Sequence, residues 1–250
     1  MFHLRTKRFS VFLIILFLSA TISSAQPGET FFIADSMPFP QQRNISLRDY
    51  VFKPLSINSL TAGCIAYGIL SLGSDQIESW NVEAREEVWQ EHPHTFNHLD
   101  NYLQFAPALV VYGLNACGIK GKSNFKDRTV SLGGAFLITG LTVTALKNIT
   151  HIERPDGSNF KSFPSGHTAT AFMTAEYLRQ EYKDVSPWIP VAGYAAAVAT
   201  GYMRLYNNKH WASDVFAGAA IGVLTTQFTY YCQAKIKHHQ QLKRHHASLN

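Results

Sequence analysis

Apolar residues gather in five long runs, 55–73, 104–118, 130–146, 188–203 and 215–232, and a further stretch rich in small residues opens at Ser165. None is an unbroken run of the ~20 aliphatic residues of an ideal spanning helix. Gly, Ala and Thr recur through all of them, which predicts helices packed on one another, because small side chains let two helix backbones approach closely in lipid. The polar stretches between the runs differ among themselves. Residues 26–54 are rich in Pro and Gln and read as an exposed arm, whereas 74–101 is acidic and carries an amphipathic, helical stretch around Val82 to Trp89. The expected fold class is all-α, a multi-pass membrane helical bundle of about five or six core helices, with a soluble helical bundle as the alternative.

The N-terminus adds an address. Arg5, Lys7 and Arg8 precede the apolar run Phe9 to Leu18, and small residues ending in Ser23-Ser24-Ala25 follow. That order matches a cleavable secretory signal, with an uncleaved first membrane helix as the alternative; either one directs the chain to a membrane and out of the cytoplasm. The formal charge of +5 fits a membrane surface or an anionic substrate as well as nucleic acid, so the positions of the cations decide. They collect in the 119–129 loop (Lys120, Lys122, Lys126, Arg128), the 179–184 turn (Arg179, Lys183) and the tail (Lys235, Lys237, Lys243, Arg244). The positive-inside tendency places these three segments in the cytoplasm and the 147–164 and 204–214 loops outside, in the periplasm of a Gram-negative cell. With residue 26 outside, only one of 55–73 and 104–118 can then cross; 104–118 is taken as the crossing and 55–73 as partly embedded. Cys64, Cys117 and Cys232 lie far apart in apolar stretches and read as packing residues, without disulfide or metal-ligand spacing.

Chemistry concentrates in the outward loops. In KNITHIERP, Lys147, His151 and Arg154 fall at i, i+4 and i+7, the spacing of one helical face, and Pro155 stops the helix beyond them. In FPSGHTATAF, Pro164 and Gly166 shape a turn, Ser165 can cap the next helix, and the free N–H groups of that helix start make an anion site beside His167. In MRLYNNKHWASD, His210 and Asp214 are spaced i, i+4; on a helix beginning near Lys209 the carboxylate would fix the tautomer of the ring and leave its other nitrogen free to act. Arg204 precedes them at the end of an apolar run.

Taken together, Lys147 with six residues before Arg154-Pro155, then Pro164-Ser165-Gly166-His167, then Arg204 with five residues before His210 and three more before Asp214, resemble the three signature motifs of the type 2 phosphatidic acid phosphatase superfamily, which includes the vanadium haloperoxidases. The order and spacing hold across roughly 100–232; one departure is Met203, where the family usually has Ser. The resemblance implies that Lys147, Arg154 and Arg204 hold the phosphoryl oxygens with help from Ser165 and Gly166. It implies further that His210 attacks phosphorus, Asp214 orients it, and His167 protonates the leaving oxygen, with no metal and no cofactor. A metal triad of His167, His210 and Asp214 is the rival, set back by three converging cations; a non-catalytic scaffold or a vanadate-dependent oxidant is another.

The organisation that follows is a signal peptide or first membrane helix (1–25), an arm with a weakly apolar segment and an acidic amphipathic loop (26–100), a phosphatase helical core (101–234) and a basic tail (235–250). The implied partners are a lipid phosphate and a bacterial inner membrane, with the active site facing the periplasm and no nucleic acid. Lipid candidates by family are undecaprenyl pyrophosphate, lipid A, phosphatidylglycerol phosphate and phosphatidic acid; small soluble phosphate esters are the alternative. The 74–101 stretch, with Trp80, Trp89 and Phe96, is taken as an interfacial flap that selects among them. His92, His94 and His98 read as a solvated loop, the His-rich tail as a contact for anionic headgroups, and the glycosylation pattern Asn148-Ile149-Thr150 as part of the first motif.

Overall fold

The structure, a computed structural model, describes residues 55–90 and 98–249. The N-terminal signal, the arm before residue 55, and the loop holding His92, His94 and Phe96 lie outside the described residues. The helices are α1 (Leu55–Leu70), α2 (Asp75–Arg85, continued by a π turn over Glu86–Gln90), α3 (Asp100–Leu103), α4 (Ala106–Ala116), α5 (Phe125–Thr150), α6 (Gly166–Tyr182), α7 (Trp188–Tyr206) and α8 (Ala212–Leu249); the described residues contain no strand.

Helix limits follow local chemistry. Asn124 starts α5 by accepting from the Asp127 N–H at 2.9 Å, with Pro107 in the first turn of α4 and Ser165 capping α6. α5 ends where His151 turns left-handed (φ 47°). The apolar runs 130–146, 188–203 and 215–232 therefore sit inside α5, α7 and α8, each longer than its run because capping and polar turns carry the helix past the apolar block.

α6 is the axis of the bundle. It packs against α4, α5, α7 and α8, and its side chains are buried from Thr168 to Tyr182 except at Thr170. α8 approaches it at van der Waals limit: a Cβ built on Gly218 would lie 2.5 Å from the Ser165 carbonyl oxygen, and one on Gly222 would lie 2.2 Å from that of Ala169. Two glycines four residues apart thus let backbone meet backbone. Hydroxyls complete the contacts between helices, with Thr139 and Thr225 at 2.6 Å and Thr226 donating to the Met173 carbonyl at 3.2 Å. α1 packs on α8, its Gly68 against Ala217 and Phe163.

The two ends of α6 differ in kind. At its C-terminal end the 119–124 loop is tied on, with the Lys122 N–H donating to the Glu181 carbonyl (2.9 Å) and the Ser123 N–H to the Glu181 carboxylate (2.9 Å). Tyr230 of α8 donates to that same carboxylate at 2.6 Å, and Lys237 pairs with Asp127 at 2.6 Å. The basic segments of the sequence thus share one end of the bundle. A fully buried Glu176 lies one turn inside, held by Nε and Nη2 of Arg179 (2.6 Å each), Gln180 (2.7 Å) and Tyr194 (2.6 Å). The motif loops lie at the other end, where Ser165 starts α6. α3 and α4 run between the two ends, from Asp100 beside Arg204 to Asn115, which donates to the Tyr182 hydroxyl at 2.7 Å.

Candidate active site

Three cations converge from three elements. Lys147 occupies the last turn of α5, and its ammonium donates to the carbonyls of Lys161 (2.5 Å) and Ser162 (3.2 Å). The single helical face expected for Lys147, His151 and Arg154 does not exist, because α5 stops at Thr150 and His151 is the exposed left-handed cap. Arg154 reaches the site from the loop instead. Its N–H donates to the Asn159 carbonyl (3.0 Å) and its carbonyl accepts from the Gly157 N–H (2.9 Å), so a tight loop holds it where a helix was expected. Arg204, buried in the last turn of α7, pairs through one terminal nitrogen with the buried Asp100 carboxylate.

Ser165 and Gly166 begin α6 beside these groups. The Ser165 hydroxyl caps its own helix against Thr168, and its N–H donates to the Asp214 carbonyl at 3.0 Å. A Cβ built on Gly166 would meet Val143 and Lys147 of α5 at 3.7 and 4.0 Å, ordinary contact, so α6 starts directly beside Lys147. His167 is half-buried, with Nε2 2.8 Å from the Asn101 side-chain oxygen.

His210 and Asp214 do not share a helix: α8 begins at Ala212, so His210 lies in the loop and Asp214 in the first turn. Their i, i+4 spacing still brings them together, with His210 Nδ1 3.5 Å from Asp214 Oδ2. That distance is too long for a firm hydrogen bond, and catalytic contacts commonly tighten only when substrate arrives. The same carboxylate oxygen accepts from the Ser162 hydroxyl (2.5 Å) and the Trp211 N–H (2.8 Å), so Asp214 is held in place from two further segments. Lys209 to Asp156 (2.5 Å) and Trp211 Nε1 to the Glu153 carbonyl (2.9 Å) clamp the first-motif loop over the third. From below, α2 grips the loop on both sides of His210: Asn81 exchanges hydrogen bonds with the Ser213 N–H and hydroxyl (3.0 Å each), and Arg85 donates to Asn208 (2.9 Å), whose φ is 53°.

Electrostatics give the site its character. Burial, working against the pull of Asp214, takes His210 from an ordinary 6.5 down to about 4, and the charges of Arg204 and Lys147 add to that shift. Burial and the neighbouring Arg204 charge also lower Arg154. Four buried side-chain polar atoms among the described residues have no partner, and three of them, Arg154 Nε, Arg204 Nε and His210 Nδ1, are here. Two buried guanidinium N–H groups left without a partner in a half-buried cluster of cations suit an anion.

Every residue expected in the site from sequence is at this end of the bundle, although Arg154 and His210 arrive on loops where helical positions were expected. Sequence reading missed Asp100, Asn101, Ser162 and Asn81. Ser162 stands only three residues before a recognised motif residue; the other three are separated from the site residues they touch by 66 residues or more, and no local pattern marks them.

Three converging cations around a histidine backed by a carboxylate suit an oxyanion such as a phosphate ester. The family model of the PAP2 superfamily matches residues 128–238 of this chain. A curated relative described as a lipid A 1-phosphatase, from Porphyromonas gingivalis, is 42% identical over 134 residues, 53% of this chain. The matched stretch spans 30% of that relative's length. Two solved structures are similar at lower identity. One, described as Aquifex aeolicus LpxE, has 22% identity and a TM-score of 0.48 over 60% of this chain and 94% of the other. The other, described as a transmembrane PAP2 type phosphatidylglycerolphosphate phosphatase from Bacillus subtilis, has 18% identity and a TM-score of 0.49 over 70% of this chain and 96% of the other.

Proposed function

We propose that the protein is a membrane phosphatase that removes the phosphate monoester of a lipid headgroup, with lipid A bearing a 1-phosphate as the first substrate to test and the other lipid phosphates and pyrophosphates named above as its competitors. The observation that carries the reading is the pair of open, buried guanidinium N–H groups of Arg154 and Arg204 beside Lys147 and His210. The relative's description supports the choice of lipid A.

In this reading the arginines and Lys147 neutralise the equatorial oxygens of the phosphoryl group. The Nε2 lone pair of His210, the nitrogen away from Asp214, forms the N–P bond as the P–O bond to the lipid breaks. The departing oxygen takes a proton from His167 in its imidazolium form, which the bound phosphate dianion favours, and Asp214 stabilises the charge that develops on His210. Water then attacks phosphorus while the now neutral His167 takes up its proton, the N–P bond breaks, and inorganic phosphate leaves with His210 neutral and His167 recharged. Three cations around the pocket disfavour a divalent metal at His167, His210 and Asp214.

Membrane attachment is part of the proposal. α5 is long and apolar enough to cross a bilayer, and Ser59–Leu70 and Ala106–Ala116 are shorter apolar helices. Large apolar side chains point outward along the bundle, among them Leu109, Leu137, Leu141 and Ile149, each more than 60% exposed, which suits a lipid surround better than water. The site at the end of such a bundle would sit at headgroup level.

The test is phosphate release by the protein in detergent with EDTA present, from lipid A, undecaprenyl pyrophosphate, phosphatidylglycerol phosphate, phosphatidic acid and a soluble phosphate ester, with His210→Ala as control. We expect release from lipid A that drops by about 10³-fold or more in the variant. Equal release by His210→Ala, or a requirement for divalent metal, would sink the mechanism; release from the soluble ester alone would remove the lipid.

A further inference from the structure

His167 is held by a residue that no motif contains. Its Nε2 lies 2.8 Å from Asn101 Oδ1, and a carbonyl oxygen can only accept, so Nε2 carries the hydrogen. Asn101 is itself fixed. It belongs to the short helix α3, whose first residue, Asp100, is 1% exposed and pairs with Arg204. Gln104 donates to the Asn101 carbonyl (2.9 Å), and Thr174 of α6 donates to the Gln104 carbonyl (2.7 Å). Two consecutive residues, 100 and 101, thus engage a phosphate-binding arginine on α7 and the proton donor on α6.

We propose that Asn101 is a positioning residue for His167, holding the ring with its Nε2 hydrogen aimed into the site until the leaving oxygen of the substrate takes the place of the amide. The proposal rests on the phosphatase reading above. It deepens that reading, because the amide oxygen and the leaving oxygen are acceptors for one and the same N–H. Without Asn101 the ring can rotate, and in its neutral resting form it can carry its hydrogen on Nδ1 instead. Proton delivery then suffers most for substrates whose leaving group most needs a proton, the alkoxides of glycerol or sugar, and least for nitrophenolate. The charged groups that face His167 from other elements, Lys147 of α5, Arg154 of the first-motif loop, Arg204 of α7 and Asp100 of α3, stay in place in such a variant.

The experiment measures kcat/KM of the full chain in detergent across aryl and alkyl phosphate monoesters of increasing leaving-group pKa, for the wild type, Asn101→Ala and Asn101→Asp. For Asn101→Ala we expect a steeper dependence on leaving-group pKa, with a loss of about 100-fold for alkyl esters and a smaller one for nitrophenyl phosphate. Asn101→Asp keeps an acceptor oxygen in the same place, so it restores the slope, while its added negative charge raises KM for the anionic substrates. A uniform loss with unchanged slope would reduce Asn101 to packing, and no loss at all would also overturn the proposal. A second readout does not need turnover: the ¹⁵N shifts of His167 report the Nε2–H tautomer in the wild type and a mixed population in Asn101→Ala. An unchanged tautomer in Asn101→Ala would refute the positioning role even in an active enzyme. A protein that turns over nothing, yet shows the tautomer change, would fail as a phosphatase while the contact itself stood.

Discussion

At the scale of single residues, His210 carries a strong pH signature. In the proposed reaction its neutral ring is the form that attacks phosphorus, and burial keeps it neutral by lowering it from 6.5 to about 4. The sign for stability follows from linkage. Below 6.5 an unfolded chain would take up a proton on this residue that the folded chain refuses, so His210 costs nothing above 6.5 and makes folding less favourable as pH falls from 6.5 toward 4. Followed by NMR in the free protein, with His210→Gln for assignment, the ring signal is expected to stay flat through the ordinary histidine range and to move only near 4. A midpoint near 6.5 would mean that the ring is solvated and the acid side of activity is set elsewhere. The residues that gather in the candidate site were legible in sequence because their types recur at fixed spacings. Their partners were not: Asp100 reads as one more acid in an acidic stretch, and only folding brings its carboxylate to Arg204, 104 positions later. Arg154 was legible as a site residue but not as a loop residue, since helical spacing continues on paper past the point where His151 turns left-handed.

At the scale of elements, the contact between α6 and α8 controls both packing and the site, because the same two helices carry Ser165, His167 and Asp214. Gly222 sits where any Cβ would collide with backbone at 2.2 Å, and backbone in two buried helices cannot give way as the end of a flexible side chain can. Gly222→Ala is expected to destabilise the protein by about 1–3 kcal/mol or more through overpacking. Gly133→Ala in α5, where a Cβ meets nothing within 4 Å, is the control and is expected to be neutral or to stabilise by up to ~1 kcal/mol, since Ala is the better helix former. Thermal unfolding in detergent reads both, and equal midpoints for the two variants would show that the helices can separate at no cost. The long helices were legible from their apolar runs and small residues. α2 and α3 were less so: both are short, and they owe their places to Asn81, Arg85 and Asp100 reaching across to other elements, which no local periodicity encodes.

At the scale of the whole molecule, the two ends of the bundle differ in the groups they carry. The 119–124 loop, the end of α6 and residues 230–237 of α8 are bonded to one another at one end, and the three motif loops are bonded to one another at the other. Lys and Arg of the first group therefore act together in the positive-inside tendency, and the site is carried to the opposite face by the length of α6, ~25 Å for its 17 residues. An exposed position at each end tests this. In a background with Cys64, Cys117 and Cys232 replaced, Phe160→Cys is expected to react with a membrane-impermeant maleimide on cells whose outer membrane is permeabilised, and Lys120→Cys only after lysis. The reverse pattern would place the site in the cytoplasm. Labelling of both positions in unlysed cells would remove the membrane from the proposal, and with it the reason for preferring a lipid headgroup over a soluble phosphate ester, because a site open to bulk water on every side gains nothing from sitting at the end of an apolar bundle.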